Sequence, residues 1–275
     1  MRRGVVVPEY VESAESGTGM KKGIKGTRVS IIMPAFNEQE RVVASIEETI
    51  RTFSEFECEY ELIIVDDGST DDTLRLVTEA AGRYPRGTII VTRNRSNYGK
   101  GRALKKGFRS AKGEYVIFLD ADMDLHPGQI NTFFDIMELT ESDIVIGSKR
   151  HPNSQLVYPN HRRVMSAVYF SIIKTIFGLP INDTQTGLKL FKYEVLKKVF
   201  PEVLIRQFAF DLELLVHAHR LGYKIAEAPV SITSQREYSR IGPVSVYRMC
   251  LDTAAIYYRY LKSRAKRRFW RRHRR

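Results

Sequence analysis

The chain has 275 residues, 43% of them hydrophobic and 28% charged, enough to bury a substantial core in one large α/β domain or one domain with an appendage. The net charge of +12 is unevenly spread, because residues 262–275, KSRAKRRFWRRHRR, carry nine Lys or Arg and no acid. Cys58 and Cys250 are the only cysteines, which excludes a disulfide framework and a cysteine metal site and fits a reducing compartment.

Residues 1–27 mix Gly, Ser, Thr, Lys and Glu without periodicity and read as a flexible arm. The arm's one apolar run, VVV, is cut by Pro8, so no secretory signal is expected. From Val29 a regular alternation begins. Val29–Met33 predicts a strand ending at Pro34, and Glu38–Phe53 a helix with Val42, Ile46, Ile50 and Phe53 on one face. Glu61–Val65 predicts the second strand, followed by a helix over Asp71–Arg83 that Ser69 or Thr70 would cap. A third strand over Thr88–Thr92, a helix over Gly101–Ala111, a fourth strand over Tyr115–Leu119 and a fifth over Asp143–Gly147 complete the pattern. Short β-branched runs alternating with amphipathic helices indicate a mostly parallel, Rossmann-like sheet covered on both faces.

The second half is less regular. Arg162–Phe177 predicts a helix, and the loop Asp183-Thr-Gln-Thr-Gly187 leads to Leu188-Lys-Leu-Phe191. Phe210–Leu221 reads as helical and Lys224–Thr233 as mostly extended, and a long Tyr- and Arg-rich helix runs from about Val244 into the tail. No apolar stretch reaches the ~18–20 residues of a membrane span. Val164–Leu179 is short and contains Lys174, which leaves an interfacial helix and core packing both open.

In parallel sheets ligands bind at the carboxyl ends of the strands. Four polar clusters fall there: Pro34-Ala-Phe-Asn-Glu38, Asp66-Asp-Gly-Ser69, Asp120-Ala-Asp122 and Gly147-Ser-Lys-Arg150. Two carboxylates at alternate positions, Asp120 and Asp122, are costly to assemble unless a cation compensates them. Mg²⁺ or Mn²⁺ suits such oxygen donors and completes its shell with water and phosphates. Neither G-x-G-x-x-G at the first helix nor G-x-x-x-x-G-K-[ST] is present, so a nucleotide would rest on acids, a metal and side chains instead of a glycine cradle. Lys100 and Arg102 at a helix start suit an anion, whereas Lys105, Lys106 and Arg109 read as a solvated face.

The ordered set Pro34-Ala-x-Asn-Glu38, Val65-Asp-Asp-Gly-Ser-x-Asp71, Asn97-x-Gly-Lys-Gly-x-Ala103 and Asp120-Ala-Asp122 resembles the signature of family 2 glycosyltransferases with the GT-A fold. Asp183-Thr-Gln-Thr-Gly-Leu-Lys-Leu-Phe191 and Phe210-Asp-Leu-Glu-Leu-Leu215 add a similarity to dolichyl-phosphate sugar synthases, the glucose enzymes in particular. The resemblance spans about residues 28–260. It implies that Pro34, Glu38 and Asp67 hold nucleobase and ribose, that Asp120 lies near the nucleotide or metal and that Arg236 binds the diphosphate, with Asp66 and Lys100 also counted on the nucleotide side. It also implies metal ligation by Asp120 and Asp122, with Asp124 where mannose synthases carry a Gln.

For the acceptor, a phosphomonoester is largely dianionic at neutral pH and needs orienting cations more than a base. Lys149 or Arg150, with Arg162 and Ser166 one helical turn on, suits that task. Asp211 and Glu213 are the general-base candidates if the acceptor were a glycan hydroxyl. The reading is an inverting transfer of a hexose from a nucleotide sugar, UDP-glucose first and GDP-mannose second, to polyprenyl or dolichyl phosphate, supported by Mg²⁺ or Mn²⁺. It assigns a GT-A domain to residues 28–235. Residues 236–275 then form an amphipathic basic helix and tail on an anionic membrane surface, at its cytoplasmic face. The Gln-x-x-Arg-Trp block of processive polymerases is absent. No specific nucleic-acid partner is expected, because the basic residues gather in the tail instead of spreading through the fold with stacking aromatics.

Overall fold

A computed structural model describes residues 23–156, 173–207, 209–232 and 243–272, with side chains of the last segment described only from 248 to 262. The arm up to residue 22, the expected helix from Arg162 to 172, and Arg236 lie outside the described residues.

The first half alternates as the sequence predicts, with one helix, α4, that is not among the predicted elements: β1 (Arg28–Ala35), α1 (Val42–Glu55), β2 (Glu59–Asp66), α2 (Thr73–Ala81), β3 (Ile89–Arg93), α3 (Lys100–Phe108), β4 (Tyr115–Phe118), α4 (Ile130–Leu139) and β5 (Ile144–Ser148). A two-residue strand β6 (Gln155–Leu156) and a helical stretch α5 (173–177) follow. After them come β7 (Lys189–Lys192), α6 (Tyr193–Val199), α7 (Phe210–Arg220), β8 (Ile225–Pro229), β9 (Ser231–Ile232) and α8 (Pro243–Arg272). Seven strands form one sheet in the order β3-β2-β1-β4-β7-β5-β8. All pairings are parallel except those of β7, which runs antiparallel to both β4 and β5.

Both faces of the sheet are buried, as unbroken Val/Ile runs require. Ile32, Ile63, Phe118, Ile146 and Phe191 face α3, α6 and α7, while Ile31, Met33, Ile64, Ile117 and Leu190 face α1, α2 and α4. Ile173, Phe177 and Leu179 belong to the core, so the described end of the Val164–Leu179 stretch is core packing. The C-terminal helix α8 is docked as well. Ile256 enters the core, Tyr260 packs against it, and Arg259 Nη2 reaches Glu213 Oε1 at 2.6 Å. Among the described residues no helix is long and apolar enough to cross a membrane.

Two local expectations fail for one reason. Helix α1 begins at Val42, not Glu38, and α2 begins at Thr73 without the Ser69 or Thr70 cap. The polar groups that would serve those helix ends instead join the two loops to each other. Ser69 Oγ accepts from Asn37 N (3.0 Å), Asn37 Oδ1 from Thr70 N (2.9 Å), and Thr73 Oγ1 from Glu38 N (2.8 Å). Asp71 Oδ1 takes over at α2, accepting from Thr73 N at 3.0 Å.

Candidate active site

The strand order reverses about β1, with β2 on one side and β4 on the other, and the carboxyl ends at such a switch point form a crevice. Pro34 at the end of β1 is in register with Val65 of β2, so the Pro34–Glu38 and Asp66–Ser69 loops leave the sheet together. Asp66 and Asp67 are fully or nearly fully buried, and both are engaged by the protein. Asp66 Oδ1 accepts from Ser69 N (3.1 Å), and Arg93 Nε lies 3.2 Å from Oδ2 without the alignment of a hydrogen bond. Asp67 accepts from Asn94 Nδ2 (2.6 Å), Tyr98 N (3.2 Å) and Gly99 N (2.7 Å). It therefore shapes the loop that leads into α3. Gly99 closes that loop at φ +96°, where a Cβ would also meet Arg206 O at 2.5 Å.

Lys100, the first residue of α3, projects across the crevice, its Nζ 2.5 Å from Asp120 Oδ1. The other side of Asp120 rests on backbone. A Cβ at Gly187 would lie 2.4 Å from Asp120 Oδ2 and 2.8 Å from its Cγ. Burial raises the Asp120 carboxyl, but Lys100, then Lys189 and Lys149, outweigh it and hold the group below the usual aspartate range. Burial likewise pulls Lys100 toward its neutral form, yet the charges of Asp120, Asp211 and Asp122 keep it above the ordinary lysine value. The site is thus a close array of ammonium and carboxylate groups drawn from five different segments.

Asp122 and Asp124 occupy a turn strained at Met123 (φ +61°). Asp122 Oδ1 accepts from Asp124 N at 3.2 Å, and Arg41 Nη1 reaches Asp122 O at 3.4 Å. Among the described residues no three His, Cys, Asp or Glu side chains form a ready-made metal cage, so Asp120, Asp122 and Asp124 do not converge as a complete ligand set. The donor set still fits a hard divalent cation. It is all oxygen, and Asp124 Oδ1 is buried without a hydrogen-bond partner among the described residues. Mg²⁺-type ions commonly take one or two carboxylates and obtain the rest of their shell from phosphate and water.

On the far side, Lys149 N donates to Asp183 Oδ2 (3.0 Å), which also accepts from Thr186 Oγ1 (2.8 Å). Asp183 and Asn182 backbone N–H groups are held in turn by Glu227 Oε1 of β8. Lys149 is half-buried and its charge acts on Asp120, whereas Arg150 is exposed. Of the two acids on α7, Asp211 enters the array, with Lys189 Nζ 2.8 Å from its Oδ1. Glu213 does not. It is fully buried, with Oε2 accepting from Leu204 N (2.8 Å) and Ile205 N (2.6 Å) and Oε1 pairing with Arg259 of α8. Arg162, Ser166 and Arg236 fall outside the described residues.

The family model described as glycosyl transferase family 2 matches residues 30–200, which span every strand end described above up to β7. The chain belongs to glycosyl transferase family 2. It is 34% identical over 253 residues to the dolichyl-phosphate beta-glucosyltransferase of Dictyostelium discoideum, an alignment covering 88% of this chain and 77% of that one. With dolichyl-phosphate beta-glucosyltransferase ALG5D of Trichomonas vaginalis it shares 32% identity over 244 residues, 84% of this chain and 74% of the relative. Among solved structures, mannosyl-3-phosphoglycerate synthase from Rubrobacter xylanophilus superposes with a TM-score of 0.67 at 17% identity, covering 89% of this chain and 77% of the other. Glucosyl-3-phosphoglycerate synthase from Mycobacterium tuberculosis, in complex with Mn²⁺ and UDP-glucose, gives 0.62 at 20% identity, covering 86% and 79%. The fold is that of GT-A enzymes, and the protein is a glycosyltransferase.

Within this family 2 site, sequence reasoning gave no individual role to Arg41, nor to Asp183, Gly187 and Lys189, although the last three lie in the Asp183–Phe191 block it singled out. The last two arrive because β7 is antiparallel: its beginning lies at the edge where β4 and β5 end, with Lys189 in register with Phe118 and Ile146. The available signal was Lys189 itself, a cation set between Leu188 and Leu190 in a run otherwise fit for a buried strand.

Proposed function

We propose that this family 2 enzyme transfers glucose from UDP-glucose to dolichyl or another polyprenyl phosphate, with inversion at the anomeric carbon. The observation that carries the reading is the seating of Asp120, held between Lys100 and the Gly187 backbone at the switch point of the sheet. The named activity of the relatives supplies the lipid acceptor and the sugar. The Mn²⁺ and UDP-glucose complex of the mycobacterial structure supports the donor and a divalent ion.

In this reading Pro34 and Glu38 contact the nucleoside, while Asp66 and Asp67 act by fixing the loops that frame it. Lys100 sits at the diphosphate. Asp120, Asp122 and Asp124 hold Mg²⁺ or Mn²⁺, which when bound supplies positive charge to the departing diphosphate. Lys149 is the acceptor-side cation nearest the array and orients the lipid phosphate for in-line attack, with Arg162, Ser166 and Arg236 completing the phosphate contacts. A phosphate that is already mostly dianionic attacks without a base. Residues 28–235 form the catalytic unit. The face of α8 bearing Leu251, Tyr258 and Leu261, all exposed, lies with the basic tail against an anionic membrane at its cytoplasmic side.

The test is to incubate purified full-length protein and Mn²⁺ or Mg²⁺ with a panel of nucleotide sugars and dolichyl phosphate. Lipid-linked glucose should form and should be lost in Asp122→Ala. Equal turnover without the lipid phosphate would refute the acceptor, and preference for GDP-mannose would refute the donor.

A further inference from the structure

Lys189 is only 1% exposed, on the face of β7 that carries Phe191 and in register with Phe118 of β4. Lysine is almost never fully buried unless it is paired. Its partner is Asp211 in the first turn of α7, an ion pair at 2.8 Å without the alignment of a hydrogen bond, while Nζ donates to Thr186 O at 2.5 Å. The pair is not needed to hold β7 in the sheet, because the strand's backbone is already laddered to β4 and β5. Nor is stability a sufficient reason for it, since well-packed apolar residues often replace a buried ion pair at no cost. The pair does, however, grip the peptide next to Gly187, the surface against which Asp120 rests. Electrostatics runs the same way: Lys189 acts on Asp120, and Asp211 acts on Lys100.

We propose that Lys189 and Asp211 form a buried positioning pair for the donor site, fixing the Thr186–Gly187 backbone against Asp120, with Asp211 the counter-ion of Lys189 and not a general base. This rests on the reading of Asp120 as part of the nucleotide-sugar site. Neither residue contacts the reacting atoms in this account. Their effect passes through the placement of Asp120.

A double-mutant cycle tests it. Lys189→Met and Asp211→Asn each leave one buried charge without its partner and lower Tm, whereas the double variant removes both charges and recovers most of that loss. If the pair positions Asp120, kcat/KM for lipid-linked glucose falls about 10–100-fold in each single variant. It stays at that level in the double variant, because residues acting as a unit do not lose their effects additively. UDP affinity in the presence of Mn²⁺, measured by calorimetry, follows the same pattern. Recovery of activity together with Tm in the double variant would show a pair that only holds the fold and would overturn the proposal. So would losses that multiply, or a Lys189→Met enzyme of wild-type activity beside a dead Asp211→Asn, which would make Asp211 the base. Wild-type protein that binds UDP but makes no lipid-linked glucose sinks the acceptor reading alone, and the cycle is then read through UDP affinity. Wild-type protein that binds no UDP overturns the donor site and this proposal with it.

Discussion

Gly187→Ala isolates the seating of Asp120 more cleanly than any change to the aspartate. The backbone at Gly187 is not in the left-handed region, so alanine is conformationally permitted and the effect is steric. The added Cβ would stand 2.4 Å from Asp120 Oδ2, 2.8 Å from Cγ and 3.2 Å from Cβ, which is roughly 1 Å short of an unstrained contact. The carboxylate has little room to retreat, because Lys100 Nζ already stands 2.5 Å from its other oxygen. Overpacking of this kind costs about 1–3 kcal/mol, a fall in Tm of roughly 2–12 °C for a domain of this size. A displacement near 1 Å in the site costs on the order of 100-fold in rate. The assay is lipid-linked glucose formation at saturating donor and acceptor, with Tm measured on the same preparation. A variant that keeps kcat within about twofold of wild type would refute the seating of Asp120 on Gly187 as a constraint on catalysis.

Asp67→Ala removes the acceptor of three hydrogen bonds from Asn94, Tyr98 and Gly99. It should cost about 2–4 kcal/mol in denaturant melts and weaken UDP binding through the loop into α3, and an unchanged melt would contradict the bonding described. Glu213→Ala should destabilise by about 3–5 kcal/mol, since it leaves Arg259 and two backbone N–H groups without their acceptor. The protein that remains folded should keep near-wild-type kcat. A stable Glu213→Ala protein without activity would restore Glu213 as a chemical group. At Asp143, burial raises the carboxyl, but the Lys192 ammonium and Lys224 N–H outweigh it and leave the pKa below the usual value. A folded pKa below the unfolded one stabilises above ~pH 4 and loses that contribution as the pH falls through the folded value. Asp143→Asn should therefore lower the stability at neutral pH by less than about 1 kcal/mol, as expected for a partly exposed pair, and Tm slightly with it. The gap between the two melts should close in acid, and a gap that widens on acidification would reverse the sign of the argument.

The parallel half of the fold was legible because its signal is local. Val29–Met33, Glu61–Val65 and Tyr115–Leu119 are mostly apolar runs, the first stopped by Pro34 and the other two by Asp66 and Asp120, and each is a strand within a residue or two of the predicted ends. The helix starts were not legible, since Asn37, Ser69 and Thr73 bond between loops about thirty residues apart instead of to their own helices. Asp66 and Asp67 were placed in the right loop, but their carboxylates are engaged by protein donors that no spacing reveals. Lys105 shows the same limit: read as solvated, its ammonium donates to Val203 O at 2.7 Å. Asp211 and Glu213 looked equivalent as two acids at the head of one helix. The structure separates them by direction, Asp211 toward Lys189 and Glu213 toward Arg259.

That separation bears on how the Asp120–Asp122 motif works. The two residues are alternate in sequence, yet their surroundings differ in kind. Asp120 is immobilised by Lys100, by the Gly187 backbone and by the field of Lys189 and Lys149. Asp122 is held by the turn through Asp124 N, with Arg41 from the α1 side at its carbonyl. An acid compensated by three ammonium groups is a poor candidate for sole ligation of a cation, because those groups already stabilise its charge. The Asp122–Asp124 turn is the better one: Asp124 Oδ1 is buried without a partner among the described residues, and burial without a partner costs free energy that a bound cation would recover. On the proposed reading, Asp120 is thus the ligand whose charge the protein already compensates, and the Asp122–Asp124 turn is the one with an oxygen still to be satisfied.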